Sequence, residues 1–228
     1  KASLPKVKIK GFAKKEVKFI IEKNPGYSFK INYIKKNFPK SKMIWTTRDP
    51  RGFVNSRIEK KNPENRIYNP YFLAFLWNEF HENLLRLRAE NGEVLVLKYE
   101  DLVSDPETRI NSVLKFLKID MNVKDLLVEN DTKLMVDQMT LDTERKRIKF
   151  EDLRKPINQD RVNAWRDRLS KKKSENILLI TSKVACEMGY DLSEINHISR
   201  LRGFWLHIYT FHWYIGAKLF AKLSSRIK

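Results

Sequence analysis

The run Arg48-Asp49-Pro50-Arg51 combines residue types and spacing that suggest chemistry. Before it, Met43–Thr47 is rich in aromatic and β-branched residues and predicts a buried strand. After the strand, Asp49 suits a helix N-cap and Pro50 suits the first helical position. A strand that leads into a helix N-terminus favours anion binding, because free N–H groups and the helix dipole meet there. The two arginines would add charge and planar donors that fit phosphate.

Positive charge is concentrated at the two ends of the chain. The net charge is +18, with twelve lysines against two glutamates in residues 1–40 and six Lys or Arg and no acidic residue in residues 196–228. Such ends suggest attraction to a polyanion, an anionic membrane surface or a phosphate-bearing small ligand. Solvated surface lysines would explain the same net charge without any binding partner. The run at Arg48 likewise has a second interpretation, an ordinary capped turn with a surface ion pair.

Length and composition predict a globular protein with one sizeable domain. The 228 residues are 42% hydrophobic, which is enough for a core. We expect an α/β domain over residues 1–195, and a basic, aromatic-rich C-terminal helix over residues 196–228. The single cysteine, Cys186, excludes an intrachain disulfide and fits a small core residue. No set of ligand residues suggests a metal.

The start of the chain gives two further expectations. Because the chain begins with Lys1, we expect an N-terminally cut or processed form. Residues 1–20 show no secretory pattern, since the apolar run Phe19-Ile20-Ile21 is short and follows a lysine-rich stretch. The expected compartment is therefore the cytoplasm, with the Golgi lumen as the alternative, and an expected association with a membrane rests on the C-terminal segment described below.

Strand and helix signals alternate along the chain. Strands are predicted over residues 17–21, 43–47 and 94–97. One helix is predicted to end near Asn37, and three more are predicted to begin near Pro50, Pro70 and Asp105-Pro106. Further helices are predicted over Asp160–Leu169, with Trp165 inward, and over Ser174–Met188, ended by Gly189. This alternation favours a mainly parallel sheet covered by helices.

The C-terminal segment Gly203–Ala217 differs from the rest of the chain. It has no formal charge, is crowded with aromatic residues and is bracketed by Arg200, Arg202, Lys218 and Lys222. It is shorter than the roughly 20 residues of a spanning helix. We therefore expect either peripheral membrane contact through residues 203–223 or a helix docked on the domain or on a second subunit.

Four features together resemble the sulfotransferase family, which transfers a sulfuryl group from 3′-phosphoadenosine-5′-phosphosulfate (PAPS). Arg48-Asp49-Pro50-Arg51 with Ser56 is similar to the family's 3′-phosphate motif. Glu22-Lys23-Asn24-Pro25 resembles its active-site lysine segment. Lys98-Tyr99-Glu100-Asp101-Leu102, followed by Asp105-Pro106, resembles the element after its central strand. Arg154-Lys155-Pro156, with Trp165 downstream, loosely resembles its late basic loop.

The resemblance implies a fold and a set of roles. The fold would be a three-layer α/β sandwich with a mainly parallel sheet, related to the P-loop kinases, with a helical C-terminal extension. Lys23 would be catalytic, stabilising charge on the transferred group. The residues that would bind PAPS, without a metal, are Arg48, Ser56, Tyr99, Arg154, Lys155 and Arg161. Tyr99 would pack on the adenine ring of the nucleotide, or else it would close the core as a structural residue.

Two parts of the family's pattern do not occur in this sequence. The glycine-rich loop for the 5′-phosphosulfate is absent, and so we expect a cut N-terminus or a degenerate member. Pro25 stands where cytosolic members have a histidine base. Glu16, Glu22 and His81 are the nearest other candidates, and none of them is favoured.

The predicted activity is therefore sulfuryl transfer to a hydroxyl of a carbohydrate, lipid or small-molecule acceptor. The alternative is a non-catalytic basic module that binds an anionic membrane or nucleic acid, of which nucleic acid is the less favoured partner. A nucleotide kinase is disfavoured, because the sequence has no Gly-x-x-x-x-Gly-Lys-[Ser/Thr] loop.

Overall fold

Two parallel strands lie at the centre of the described structure. In this computed structural model, residues 21–23, 27, 30–59, 69–89, 93–123, 159–195, 202–212 and 215 are described. Strand β1 (Met43–Thr47) pairs with β2 (Val94–Lys98), so that Met43 lies opposite Val94 and Thr47 opposite Lys98. Because the two strands end at paired residues, Arg48 and Tyr99 follow them at the same edge of the sheet.

Helices make up the rest of the regular structure among the described residues. In chain order they are α1 (Ile31–Asn37), α2 (Pro50–Glu59), α3 (Pro70–Ala89), α4 (Tyr99–Ser104), α5 (Pro106–Leu117), α6 (Trp165–Arg168) and α7 (Lys171–Glu187), followed by a helical segment over 202–212. The arrangement confirms an α/β protein with parallel strand pairing. The strand predicted over residues 17–21 falls almost wholly outside the described residues, and the three-layer arrangement stays a prediction.

The long helix α3 contributes to both hydrophobic clusters of the core. Leu73 and Ala74 pack with Val54 of α2 and with α6 and α7, whereas Trp77 and Leu84 pack with the last turns of α7. Both Trp77 and Leu84 are fully buried. The core therefore fixes α2 and α3 around the end of β1, where the candidate site lies.

Several predicted boundaries are confirmed by their capping contacts. The Asp105 carboxylate accepts a hydrogen bond from the Thr108 N–H at 3.2 Å, and α5 ends at Lys118 in the left-handed conformation. Helix α7 begins at Lys171, earlier than the predicted start at Ser174, because the Ser170 side chain caps it by accepting a hydrogen bond from the Lys173 N–H. Residues 159–164 form turns, so the predicted helix there shortens to α6, with Trp165 buried as expected.

Two burial predictions are wrong. Strand β1 is only partly covered: Ile44 is 40% exposed and only Thr47 is fully buried. Cys186 is exposed rather than in the core, because α7 turns Val184 and Ala185 inward at that point. Apolar composition predicted both elements correctly, but it did not show which of their faces a neighbouring element covers.

Candidate functional site at the Arg48 junction

The backbone at the end of β1 is held in place by the core. The carbonyl of Arg48 accepts a hydrogen bond of 2.9 Å from Nε1 of Trp77, which is fully buried on α3. Tyr99 begins α4 next to it, at the end of β2. We use the name Arg48 junction for Arg48, Asp49, Gly52, Tyr99 and Glu100, which lie where the two strands pass into α2 and α4.

The guanidinium of Arg48 is positioned by three contacts. Its Cζ lies 4.6 Å from the centre of the Tyr99 ring, and Nη2 donates to the carbonyl of Arg161. The third contact is with Gly52, where an added Cβ would lie 2.8 Å from Arg48 Nε. A side chain at position 52 would therefore push the guanidinium away from the first turn of α2.

Arg48 keeps unused binding capacity. Its Nε is buried and has no hydrogen-bond partner, and within the described part of the chain the guanidinium forms no ion pair with a carboxylate. A buried donor without a partner is costly, and an anionic ligand would satisfy it. The junction therefore presents a fixed positive charge that the surrounding described residues do not neutralise by direct pairing.

Arg51, in contrast, is neutralised inside the protein. It is 3% exposed and forms ion pairs with Asp49 at 2.7 Å and with Glu194 at 3.0 Å, while its Cζ lies 3.9 Å from the ring centre of Trp165. Burial lowers the pKa of Arg51, but the hydrogen bonds and charges of the two carboxylates raise it above its ordinary value. The expectation that Arg51 adds charge to an anion site is therefore wrong, because it is an internal ion-pair residue.

The N–H groups at the start of α2 are also largely occupied. The Asp49 N–H donates to Glu100 Oε1 at 2.9 Å, and the Arg51 N–H donates to Asp49 Oδ1 at 2.8 Å. The predicted capping role of Asp49 is confirmed, but these carboxylates take the place expected for a bound anion. Burial, together with the charge of Asp49, raises the pKa of Glu100. Any anion at the junction must therefore rely mainly on side chains rather than on these N–H groups.

The other predicted site residues differ in how near they lie to the junction. Ser56 lies one helical turn after Gly52, on the face of α2 that approaches Arg48. Arg161 joins the junction through its carbonyl group. Lys23 is exposed, and no hydrogen bond or ion pair ties it to the junction among the described residues. Arg154 and Lys155 lie outside the described residues.

The histidine that the sequence offered as a base is buried in a hydrogen-bond chain. His81 Nδ1 donates to the Trp77 carbonyl at 2.7 Å, and Nε2 accepts from the Thr47 hydroxyl at 2.7 Å. The Tyr190 hydroxyl in turn lies 3.2 Å from Thr47 Oγ1 and donates to it. Desolvation lowers the pKa of His81 to about 4. His81 therefore cannot reach an acceptor hydroxyl.

The two glutamates that the sequence offered as bases do not lie at the junction among the described residues. Glu16 lies outside the described residues, and Glu22 is exposed and accepts from the Tyr27 hydroxyl.

Sequence reasoning did not predict the roles of two residues at the junction, Gly52 and Glu100. Gly52 gives the Arg48 side chain its space, and a glycine inside a helix, which costs about 1 kcal/mol relative to alanine, was the available signal. Glu100 anchors the Asp49 N–H from the neighbouring strand end. No local signal predicted that contact, because it depends on the pairing of two strands that lie far apart in the sequence.

The fold and the Arg48 junction define an α/β protein in which an arginine at the carboxyl end of the parallel strands forms no ion pair with any carboxylate among the described residues. Residues 5–123, just over half of the chain, match the Sulfotransferase family. The chain belongs to that family, which confirms the resemblance found in its sequence motifs.

Individual relatives agree with this assignment. The chain is 24% identical to protein-tyrosine sulfotransferase 1 of Danio rerio over 176 residues, which is 76% of this chain and 48% of the relative. It is also 24% identical to a putative protein-tyrosine sulfotransferase of Caenorhabditis briggsae over 180 residues, covering 76% of this chain and 61% of the relative. The chain thus spans about half to three fifths of the length of these curated relatives.

A solved structure supports the fold. The sulfotransferase domain from the curacin biosynthetic pathway matches with a TM-score of 0.53 at 20% sequence identity, over 74% of this chain and 62% of that one. The likeness extends well beyond the two described strands. It supports the predicted relation to sulfotransferase domains at the level of chain topology.

Proposed function

We propose that this protein transfers a sulfuryl group from PAPS to a hydroxyl acceptor, and that Arg48 binds the 3′-phosphate of the donor. The observation that carries the proposal is the held guanidinium of Arg48, with its buried, unpaired Nε and no carboxylate partner among the described residues. Family membership supplies the reaction class.

The residues at the junction suit the 3′-phosphate end of PAPS. Arg48 offers charge-assisted donors in a planar arrangement, and Ser56 adds a hydroxyl on the same side of α2. The Tyr99 ring already lies against the Arg48 guanidinium, so we assign Tyr99 to holding that guanidinium. We keep its second role, packing on the adenine ring, as the sequence predicted it. Arg154, Lys155 and Arg161 are proposed to complete the positive surroundings.

PAPS supplies the sulfuryl group when it is bound, and the protein must stabilise the charge that develops on that group. We assign this role to Lys23, because an ammonium near the transferred oxygens lowers the barrier of a loose, in-line transfer. Binding of the remote phosphate by Arg48 would orient the donor and so contribute to the rate without touching the reacting atoms.

The acceptor is proposed as a hydroxyl of a carbohydrate, lipid, small molecule or peptide. Both curated relatives are named for protein tyrosine, so we place a peptide tyrosine first among the acceptors to be tested. A panel with one acceptor of each class, followed by mass spectrometry for a single added sulfuryl group, would identify the class.

Calorimetric titration with adenosine 3′,5′-bisphosphate tests the phosphate site. The full chain should bind saturably, and Arg48→Ala should weaken the affinity by about 30- to 150-fold, corresponding to about 2–3 kcal/mol for lost charge-assisted bonds. Arg57→Ala is the matched control, because it removes one positive charge from the exposed surface of the same helix.

The outcomes separate the proposal from the basic-module alternative. Normal affinity in Arg57→Ala together with loss in Arg48→Ala supports the phosphate site. Equal weakening in both variants would reduce Arg48 to a contributor of general charge. No binding of the nucleotide, together with salt-sensitive binding to DNA or vesicles, would favour the non-catalytic module instead.

A further inference from the structure

The helical segment 202–212 has an inner face that packs on the domain. Leu206 packs against the core cluster of α2, α3, α6 and α7, and Thr210 is fully buried. An added Cβ at Gly203 would lie 3.9 Å from Leu179 of α7, and Arg202 pairs with Glu175 at 3.4 Å. The segment is therefore held on the domain by one face, as one of the sequence alternatives expected.

The opposite face exposes a continuous apolar surface. Phe204, Ile208 and Phe211 recur at intervals of four and three residues, which places them on one stripe of the helix, and Ile215 continues this spacing in the sequence. We call these four residues the outer stripe. Phe204 is 61% exposed and Phe211 is 52% exposed, and Trp205, which borders the stripe, is 66% exposed. Contiguous exposed aromatic residues of this kind mark an interaction surface.

The sequence on both sides of the outer stripe is basic. Residues 196–228 contain six Lys or Arg and no acidic residue. In the fold, Arg202 also donates to the carbonyl of Lys172, which brings the exposed lysines at positions 171–173 to the first turn of this segment. Exposed apolar and aromatic side chains in a basic part of the chain complement a lipid surface with anionic headgroups.

We propose that the outer stripe docks on an anionic lipid surface, with the segment lying in the plane of the interface. A second copy of the chain is the less suitable occupant, because each copy carries a net charge of +18 and would bring cations against cations. Within the described ranges, no helix is long and apolar enough to cross a bilayer. The aromatic rings enter the headgroup boundary while the inner face stays on the domain.

Vesicle flotation of the full chain tests this proposal. Phosphatidylcholine vesicles with and without phosphatidylserine are compared for the wild type and for the double variant Phe204→Ala/Phe211→Ala. We expect binding to the vesicles that contain phosphatidylserine, weakened by raised salt, and at least about tenfold weaker binding by the double variant. Phe38→Ala is the matched control, because Phe38 is 46% exposed on a different helix end.

Each result bears on the proposal. Loss of vesicle binding in the double variant, with normal binding by Phe38→Ala and an unchanged melting temperature in both, supports it. Absence of binding to either vesicle overturns it, as does equal binding by the wild type and the double variant, which would mean that charge alone attracts the chain. A wild-type dimer in sedimentation equilibrium that the double variant loses would assign the stripe to a second copy and overturn lipid docking.

Discussion

Replacing Gly52 with alanine separates the position of Arg48 from the stability of the fold. The new Cβ would lie 2.8 Å from Arg48 Nε, which is closer than such atoms approach in folded proteins, so the guanidinium must move. Movement weakens the cation–π contact with Tyr99, worth about 0.5–1 kcal/mol, and the hydrogen bond to the Arg161 carbonyl, worth about 1.5–3 kcal/mol. Alanine in place of glycine inside a helix returns about 1 kcal/mol.

These contributions partly offset each other in stability but not in binding. We expect the free energy of unfolding of Gly52→Ala to fall by no more than about 1–3 kcal/mol relative to the wild type, which leaves the variant available for binding measurements. Affinity for adenosine 3′,5′-bisphosphate should fall at least about tenfold, because a phosphate site tolerates only a small displacement of its donor. Urea unfolding and calorimetric titration measure the two quantities on the same preparation.

Gly203→Ala provides the matched glycine control. Its added Cβ would meet Leu179 Cδ2 at 3.9 Å, an ordinary van der Waals distance, and it lies in the C-terminal helical segment. We expect unchanged nucleotide affinity in this variant. Wild-type affinity in Gly52→Ala would refute the reasoning, because it would show that the close packing of Arg48 on α2 is not needed for binding.

Two further predictions concern protonation and catalysis. Because burial lowers the pKa of His81 to about 4, the unfolded chain binds more protons than the folded chain between about pH 4 and 6.5. Stability should therefore fall by up to about 3 kcal/mol as the pH drops through this window. The His81→Gln variant should be less stable than the wild type, and its free energy of unfolding, measured with urea, should depend less on pH. The same pH dependence in both proteins would contradict the prediction. The raised pKa of Glu100 acts with the opposite sign in both proteins, so the difference between them isolates His81. Lys23→Ala should lower kcat about 100-fold without weakening nucleotide binding, whereas the exposed-lysine control Lys30→Ala should leave both unchanged, and a normal kcat in Lys23→Ala would argue against a catalytic role.

The sequence predicted those elements whose causes are local. Asp49-Pro50 and Asp105-Pro106 each place a capping carboxylate before a proline, so the starts of α2 and α5 could be located within a residue. Helix α5 ends at Lys118, which adopts the left-handed conformation that glycine usually supplies. The sequence has no glycine there, but the point where the helical spacing of apolar residues stops still predicted the end of α5. Local chemistry was therefore sufficient for the frame around the junction.

The roles of the two arginines could not be predicted locally. Arg48 and Arg51 are identical in type and three residues apart, and the sequence treated both as anion-binding donors. Only the fold brings Glu194 to Arg51 and leaves Arg48 over Tyr99 without a carboxylate partner in the described part of the chain. Likewise, Glu100 reaches the Asp49 N–H only because β1 and β2 pair and end together. Contacts between distant parts of the chain thus decide which charge remains available.

A thermodynamic cycle with two nucleotides tests the assignment of Arg48 to the 3′-phosphate most directly. The affinities of the wild type and of Arg48→Ala are measured for adenosine 3′,5′-bisphosphate and for adenosine 5′-monophosphate, which lacks the 3′-phosphate. We predict that Arg48→Ala loses about 30-fold or more for the bisphosphate and about twofold or less for the monophosphate. An equal loss for both nucleotides, or no loss for either, would contradict the assignment.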